Sequence, residues 1–316
     1  MGFFLGKSIS IIVPVFNEEK NISLLYREVS FTLKKLHLDY EIIFVNDGST
    51  DSSLKEMLAV KARDKRVKII EFRKNFGQSA AMQAGFDAAK KELVCYIDAD
   101  LQVDFSELPL FLNEINKGAD AVVGWRSKRK DGLFKNLFSR GAWLIRSILI
   151  GSHLHDYGCP FKVMKRECAK GLELYGEMHR YLPAMLRWRG YEVKEVKISH
   201  KKRLHGKTKY SVGRLYKGFL DLIVVWFWQK YSFRPLHIFG GLGLIAMFLS
   251  VVLTIILIVL RLRGKISLSE SSFPLFVAFM FVTGIIFFCF GIISDILVRI
   301  YYKTGKVKTY SIKKVF

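Results

Sequence analysis

The sequence predicts an α/β domain, a mostly parallel sheet flanked by helices, followed by a two-helix membrane hairpin. Three observations predict this. Strand-like and helix-like segments alternate from residue 8 to residue 124, the pattern of a parallel sheet whose crossovers are helices. Two apolar stretches, about 237–260 and 273–298, each exceed the ~20 residues that cross a bilayer as a helix. Charge is also segregated: residues 1–125 hold 16 Lys/Arg against 18 Asp/Glu, residues 126–235 hold 25 against 8, and residues 236–316 hold 9 against 2. The first third therefore reads as an ordinary near-neutral domain, and the basic middle seeks an anionic partner.

Composition excludes several classes. With 51% hydrophobic and 25% charged residues and a mean hydropathy of +0.20, the chain is neither disordered nor fibrous. Cys95, Cys159, Cys168 and Cys289 form no C-x-x-C pair. They are expected as reduced, buried thiols and not as a disulfide framework or zinc ribbon. Met1–Leu5 is too short an apolar run for a signal peptide.

The elements follow in order. Ser8–Val15 (SISIIVPV) is a β-branched run of strand length, and Glu18–Leu36 has helical spacing. Tyr40–Asn46 and Val67–Phe72 are further strands, separated by a helix over Ser52–Arg63. Gly77–Lys90 is helical, Leu93–Ile97 is a fourth strand, Ser106–Asn116 is helical and Ala119–Gly124 is a fifth strand. Two segments have amphipathic, aromatic and basic character suited to the headgroup plane, 136–151 and 210–235. The expected organisation is a globular domain over 1–209, an interfacial helix over 210–235, a hairpin over 236–300 and a basic tail over 301–316.

The hairpin loop, Arg261 to Ser272, holds three Lys/Arg, whereas the tail after Val298 holds six. Positive-inside counting therefore puts the globular domain and the tail on the cytoplasmic face. Gly240, Gly241 and Gly243 lie inside the first span and read as close-packing positions.

Ligands in open α/β sheets bind at the carboxyl ends of the strands, and three of those ends carry acids. Pro14-Val15-Phe16-Asn17-Glu18 follows the first strand, Asn46-Asp47-Gly48-Ser49-Thr50-Asp51 the second, and Asp98-Ala99-Asp100-Leu101-Gln102 the fourth. Asp98 and Asp100 straddle a strand end, where a loop can turn both carboxylates toward one ion. Few, hard oxygen ligands suit Mg²⁺ or Mn²⁺ shared with substrate phosphates. No Walker A string is present, so basic side chains and the metal are expected to carry the phosphates.

The strings IIVPVFNEEKNI, VNDGSTDSS, RKNFGQSAAMQAGF, YIDADLQVD, GWRSKR, DYGCPFKV and RLHGKTKYS resemble those of family 2 glycosyltransferases with the nucleotide-sugar-binding GT-A fold. They are closest to the polyprenyl-phosphate glycosyltransferases, the dolichyl-phosphate mannose synthases and undecaprenyl-phosphate glucosyltransferases. The resemblance covers about residues 8–235. It implies that Pro14, Phe16, Glu18 and Asp47 line the base and ribose pocket, and that Asp98, Asp100 and Gln102 form the D-x-D-type site for metal and diphosphate. It implies Arg126 near the phosphates, Asp156 beside the sugar, and Arg203 and Lys209 on a loop that closes over donor and acceptor. One departure stands out: where the family often has Asp-Pro-Pro, this chain has Val103-Asp104-Phe105.

The implied reaction is metal-dependent, inverting transfer of a hexose, from UDP-glucose or GDP-mannose, to undecaprenyl or dolichyl phosphate. The leaving diphosphate needs cationic stabilisation. The phosphate acceptor is already anionic, so Asp156 has less need to act as a base. His153 and His155 beside it are not read as a metal site, because the D-x-D supplies a better one. A processive polysaccharide synthase of the same fold would carry Q-x-x-R-W; here Arg187-Trp188 is present, but Ala184 replaces the glutamine. A non-catalytic membrane-tethered nucleotide-sugar binder is the remaining alternative. The expected partners are a nucleotide sugar, a polyprenyl phosphate and the membrane, not nucleic acid; self-association through the interfacial helices or tail stays open.

Overall fold

The computed structural model describes residues 7–127, 154–174, 176, 178–199, 201, 235–264, 272–303 and 310–316. It divides into two compact units, residues 1–225 with 307–316, and residues 226–306.

The first unit is built on an eight-stranded sheet: β1 (Ser8–Val15), β2 (Asp39–Asn46), β3 (Val67–Phe72), β4 (Leu93–Tyr96), β5 (Ala121–Arg126), β6 (Lys162–Lys165), β7 (Val193–Ile198) and β8 (Ile312–Val315), in the order β7-β5-β6-β4-β1-β2-β3-β8. β1 lies parallel to both β2 and β4, and β2 parallel to β3. Their β-branched and aliphatic residues are buried on both faces (Ile11, Ile12, Val13, Ile42, Ile43, Val45), which is why these strands read as continuous apolar runs. The crossovers are α1 (Glu19–Lys35), α2 (Ser53–Arg63) and α3 (Gln78–Ala88). α1 buries Ile22, Leu25, Val29 and Leu33, a stripe at helical spacing. Its first turn holds Glu19 and its last turn Lys34 and Lys35, matching the helix dipole.

Register levels the functional ends. Val15 pairs with Asn46 and Ile12 with Tyr96, so the segments after β1, β2 and β4 emerge on one rim. A 3-10 turn, Phe105–Glu107, leads into α4 (Leu108–Asn116). Asp104 caps that turn, accepting from the Ser106 N–H at 3.0 Å. The changed Val-Asp-Phe string thus keeps a capped helix start.

Several elements differ from expectation. β5 runs two residues further, to Arg126, because it pairs in parallel with β7 out to Arg126–Ile198. β6 enters antiparallel between β4 and β5. Two short helices, α5 (Arg166–Ala169) and α6 (Leu182–Trp188), precede β7. The tail adds β8 antiparallel to β3. Cys95, Cys159 and Cys168 are buried, but Cys289 is exposed. The amphipathic segments 136–151 and 210–234 lie outside the described residues.

Among the described residues, the second unit holds α7 (Pro235–Leu262) and α8 (Phe273–Lys303), packed along each other. Both are long and apolar enough to cross a membrane, and they leave large side chains such as Phe248, Ile255, Phe279 and Ile286 exposed. A soluble core helix would bury such residues. The contact between them is set by small residues: a Cβ on Gly243 would fall 2.5 Å from the Gly284 carbonyl oxygen, and one on Gly291 would fall 2.9 Å from the Gly240 nitrogen. Gly241, expected with them, faces open space, since the two packing positions are three apart and it falls between them.

Candidate active site

The site is built from the rim inward. After β1, Asn17 adopts a left-handed conformation (φ 57°) and accepts from the Thr50 N–H at 2.8 Å. The Glu18 N–H donates to Ser53 Oγ at 2.9 Å, and the Glu19 N–H to Asp51 at 3.2 Å. With the Asn17 N–H donating to Ser49 Oγ at 3.1 Å, Ser49, Asp51 and Ser53 tie the first two loops together. Glu18 accepts from the Asn21 side chain at 2.6 Å. Pro14 and Phe16 are half-buried beside it.

Asp47 is buried, and its two carboxylate oxygens accept from the N–H groups of Phe76 (2.7 Å) and Gly77 (3.0 Å). Burial pushes its carboxyl above the usual range, against those two hydrogen bonds. Gly48, at φ +69°, has no room for a side chain: a Cβ would meet the Lys74 backbone at 2.5 Å. The loop 73–77 thus folds down over the end of β2 and is held there by Asp47.

At the end of β4, Asp98 Oδ1 accepts from the Tyr96 hydroxyl at 2.8 Å and the Gln78 amide at 2.7 Å. Asp100 is buried and accepts from the Gln102 N–H at 3.2 Å. Burial and the neighbouring Asp100 charge hold the Asp98 carboxyl above its usual range, while Tyr96, Lys162 and Arg126 oppose the shift. Two adjacent carboxylates in a poorly solvated place repel, and a divalent cation would relieve that repulsion. The donor set is thus suited to Mg²⁺ or Mn²⁺ completed by phosphate oxygens and water. Among the described residues, no group of three or more His, Cys, Asp or Glu side chains is disposed to hold a metal; this pair would depend on its substrate for the remaining ligands.

Arg126, at the end of β5, donates to Asp156 through Nε (2.7 Å) and Nη2 (3.0 Å). Both side chains are under a tenth exposed, at 8% and 9%. Asp156 sits on a turn whose His155 and Asp156 N–H groups donate to Glu195 on β7, at 2.8 and 3.0 Å. His155 stacks on Trp125 with ring centroids 4.0 Å apart and bonds Glu195 at 2.9 Å, which gives it a packing role beside Asp156. His153, Arg203 and Lys209 lie outside the described residues.

One residue of this neighbourhood was not singled out from the sequence. Lys162, on β6, is 3% exposed, and its ammonium donates to the Cys159 carbonyl and lies 5.4 Å from the Tyr96 ring centroid. Burial pushes it below the usual lysine range, while Cys159, Asp98 and Asp156 pull it back. Lys201, two residues before the RLHGKTKYS string, pairs with Asp104 at 2.9 Å, and its backbone N–H donates to the Gln102 carbonyl at 2.8 Å.

A family model for glycosyl transferase family 2 matches residues 10–172. The chain belongs to that family. A second model, a domain of unknown function, matches residues 235–314. The chain is 34% identical to the dodecaprenyl-phosphate galacturonate synthase of Rhizobium johnstonii, covering 98% of this chain and 93% of that one. It is 30% identical to the undecaprenyl-phosphate 4-deoxy-4-formamido-L-arabinose transferase of Proteus mirabilis, covering 97% and 93%. The resemblance to polyprenyl-phosphate sugar transferases is matched by these relatives. Among solved structures, glucosyl-3-phosphoglycerate synthase of Mycobacterium tuberculosis, in complex with Mn²⁺, UDP-glucose and phosphoglyceric acid, aligns with a TM-score of 0.55 at 16% identity over 71% of this chain and 80% of that one. At that identity the likeness bears on the fold, which is the GT-A arrangement expected.

Proposed function

We propose that this glycosyltransferase moves a sugar from a nucleotide sugar to a polyprenyl phosphate, in a metal-dependent, inverting single displacement on the cytoplasmic face of a membrane. The observation that carries the reading is the pairing of an acidic D-x-D rim with a buried Arg126–Asp156 pair in a chain with two helices of membrane-spanning length. The end-to-end similarity to polyprenyl-phosphate sugar transferases supports the acceptor. The tail strand β8 shares the sheet with β3. That connectivity supports a hairpin that leaves and returns on one side.

In this reading Pro14, Phe16, Glu18 and Asp47 border the nucleoside, and Asp98, Asp100 and Gln102 face the diphosphate. Asp98 and Asp100 would hold Mg²⁺ or Mn²⁺, which when bound supplies positive charge to the leaving group. The bond from the anomeric carbon to the nucleotide's diphosphate breaks, and one from that carbon to a lipid phosphate oxygen forms. Arg126 is presented to the phosphates by Asp156 in a planar, two-pronged grip. A carboxylate engaged at both oxygens by a guanidinium suits positioning better than proton removal, and a phosphate nucleophile requires no proton to be removed. Arg203 and Lys209 would contribute to the acceptor phosphate.

The sugar is the open choice. UDP-glucose and GDP-mannose are the expected donors, and a nucleotide-linked galacturonic acid joins them because the Rhizobium relative carries that sugar in its name. Purified protein, undecaprenyl or dolichyl phosphate and Mn²⁺ should give a glycosyl-phosphoryl lipid with one of these donors, seen by mass spectrometry and absent for Asp100→Ala. The product should be β-linked from an α-linked donor. Donor hydrolysis or polymer with no lipid product would overturn the acceptor assignment, and an α-linked product would overturn the single displacement.

A further inference from the structure

The C-terminal residues 310–316 come after the second apolar helix in the chain, yet they are bonded into the wall of the proposed donor site. Tyr310 is buried at 8% exposure. Its ring stacks on Phe72, at the end of β3, with centroids 5.1 Å apart and planes 17° apart. Its hydroxyl donates to Asp87, near the end of α3, at 2.7 Å. A single side chain thus grips both elements that flank the 73–77 loop.

The contacts continue into the site. The Arg73 N–H, at the start of that loop, donates to the Ser311 carbonyl at 3.2 Å. Phe72 meets Phe76 edge-on at 5.7 Å. Phe76 and Gly77 donate their N–H groups to Asp47, and Gln78, the first residue of α3, donates to Asp98. The strand is secured beyond Tyr310 by a Lys313–Glu71 ion pair at 2.7 Å and by reciprocal backbone bonds between Phe316 and Ile69.

We propose that the tail strand is a structural part of the donor site: Tyr310 clamps β3 to α3 and so fixes the 73–78 segment against Asp47 and Asp98. This rests on the donor-binding reading above, and Tyr310 acts as a positioning residue. The consequence is that the extreme C-terminus, and not only the GT-A core, governs nucleotide affinity.

The test uses the full-length protein in detergent, with Tyr310→Phe and Tyr310→Ala beside the wild type. Amide hydrogen exchange is followed at residues 73–79, and binding of uridine and guanosine diphosphate with Mn²⁺ by calorimetry. Tyr310→Ala should speed exchange of the Phe76 and Gly77 amides and weaken nucleotide binding, each by about tenfold, as expected for local opening of a loop that has lost its support. Tyr310→Phe keeps the stack and loses only the Asp87 bond, so it should weaken binding by about two- to fivefold, the scale of one hydrogen bond. The KM for polyprenyl phosphate should stay unchanged in both, a split that general destabilisation would not produce. Unchanged exchange at 73–79 in Tyr310→Ala would overturn the clamp. Faster exchange with unchanged nucleotide affinity would overturn its role in the donor site. A wild type that binds neither nucleotide, while Tyr310→Ala still loosens the 73–79 amides, would overturn the donor-binding reading and support the clamp.

Discussion

Glu41, Asp64 and Asp120 at one end of the sheet are held in the opposite way to Asp47 and Asp98 at the other. At the end where β2, β3 and β5 begin, acids are fully matched. Glu41 is buried but takes hydrogen bonds from Ser10 (2.7 Å), the Lys90 N–H (2.7 Å) and Lys68. These outweigh the burial and hold its carboxyl below the usual range. Asp64 is likewise held down, the bonds from Arg66 and Tyr26 overcoming burial, and Asp120 is held down by Lys165. At the other end Asp47 and Asp98 are pushed up, by burial in both cases and in Asp98 also by Asp100. The first end spends charge on holding the sheet together. At the second, Asp98 and Asp100 stand close enough to repel, which suits a site that takes a cation, while Asp156 and Asp104 beside them are paired with Arg126 and Lys201.

Substitutions can break or sharpen that contrast. The largest effect is expected for Asp100→Ala, which should lower transfer about 10³-fold, the scale of a lost electrostatic stabiliser, while leaving the melting temperature equal or higher because it removes a repulsion. A marked fall in melting temperature would mean that Asp100 is structural and the contrast false. Next comes the Arg126–Asp156 pair. Arg126→Gln removes the two-pronged guanidinium partner of a buried carboxylate, with a stability loss of about 3–5 kcal/mol read by denaturant unfolding of the solubilised protein. Arg126→Gln with Asp156→Asn should recover much of that stability without recovering transfer.

Glu41→Gln should lower stability by about 1–3 kcal/mol, the scale of a buried hydrogen-bonded charge losing its match, with turnover per folded molecule unchanged. Its pH dependence has a definite sign. A carboxyl held below its ordinary value of 4.5 contributes stability above that value and loses it as pH falls through the lower folded value. The gap in melting temperature between wild type and Glu41→Gln should therefore narrow as pH drops below 4.5. The smallest effect belongs to the solvent-facing Lys91–Asp39 pair, whose side chains are 26% and 67% exposed. Lys91→Ala should change stability by about 0–1 kcal/mol, measured in the same unfolding experiment.

Much of the fold was legible in the sequence. The first four strands were readable because β-branched runs buried on both faces leave little ambiguity, and the placement of Asp98 and Asp100 just after β4 followed from reading that strand. Lys162 was not, because β6 is four residues long and two of them are lysine, a composition that reads as solvated. The grip of Arg126 on Asp156 joins positions 30 apart in the chain, and no local pattern announces it. The tail illustrates a third cause. Ile312–Val315 contains two lysines, which suits an edge strand but reads as part of a basic cytoplasmic tail. Gly241 was grouped with its neighbours because spacing alone could not show which two of three glycines face the partner helix.

Manganese binding tests the central claim most directly. Full-length protein titrated with Mn²⁺ in the presence of uridine or guanosine diphosphate, followed by electron paramagnetic resonance, should bind one ion. Asp98→Asn with Asp100→Asn should abolish that binding while melting at or above the wild-type temperature, and Glu41→Gln should keep it. Equal Mn²⁺ affinity in the double variant, or its unfolding, would contradict the account that the acids at this end of the sheet are held for a ligand.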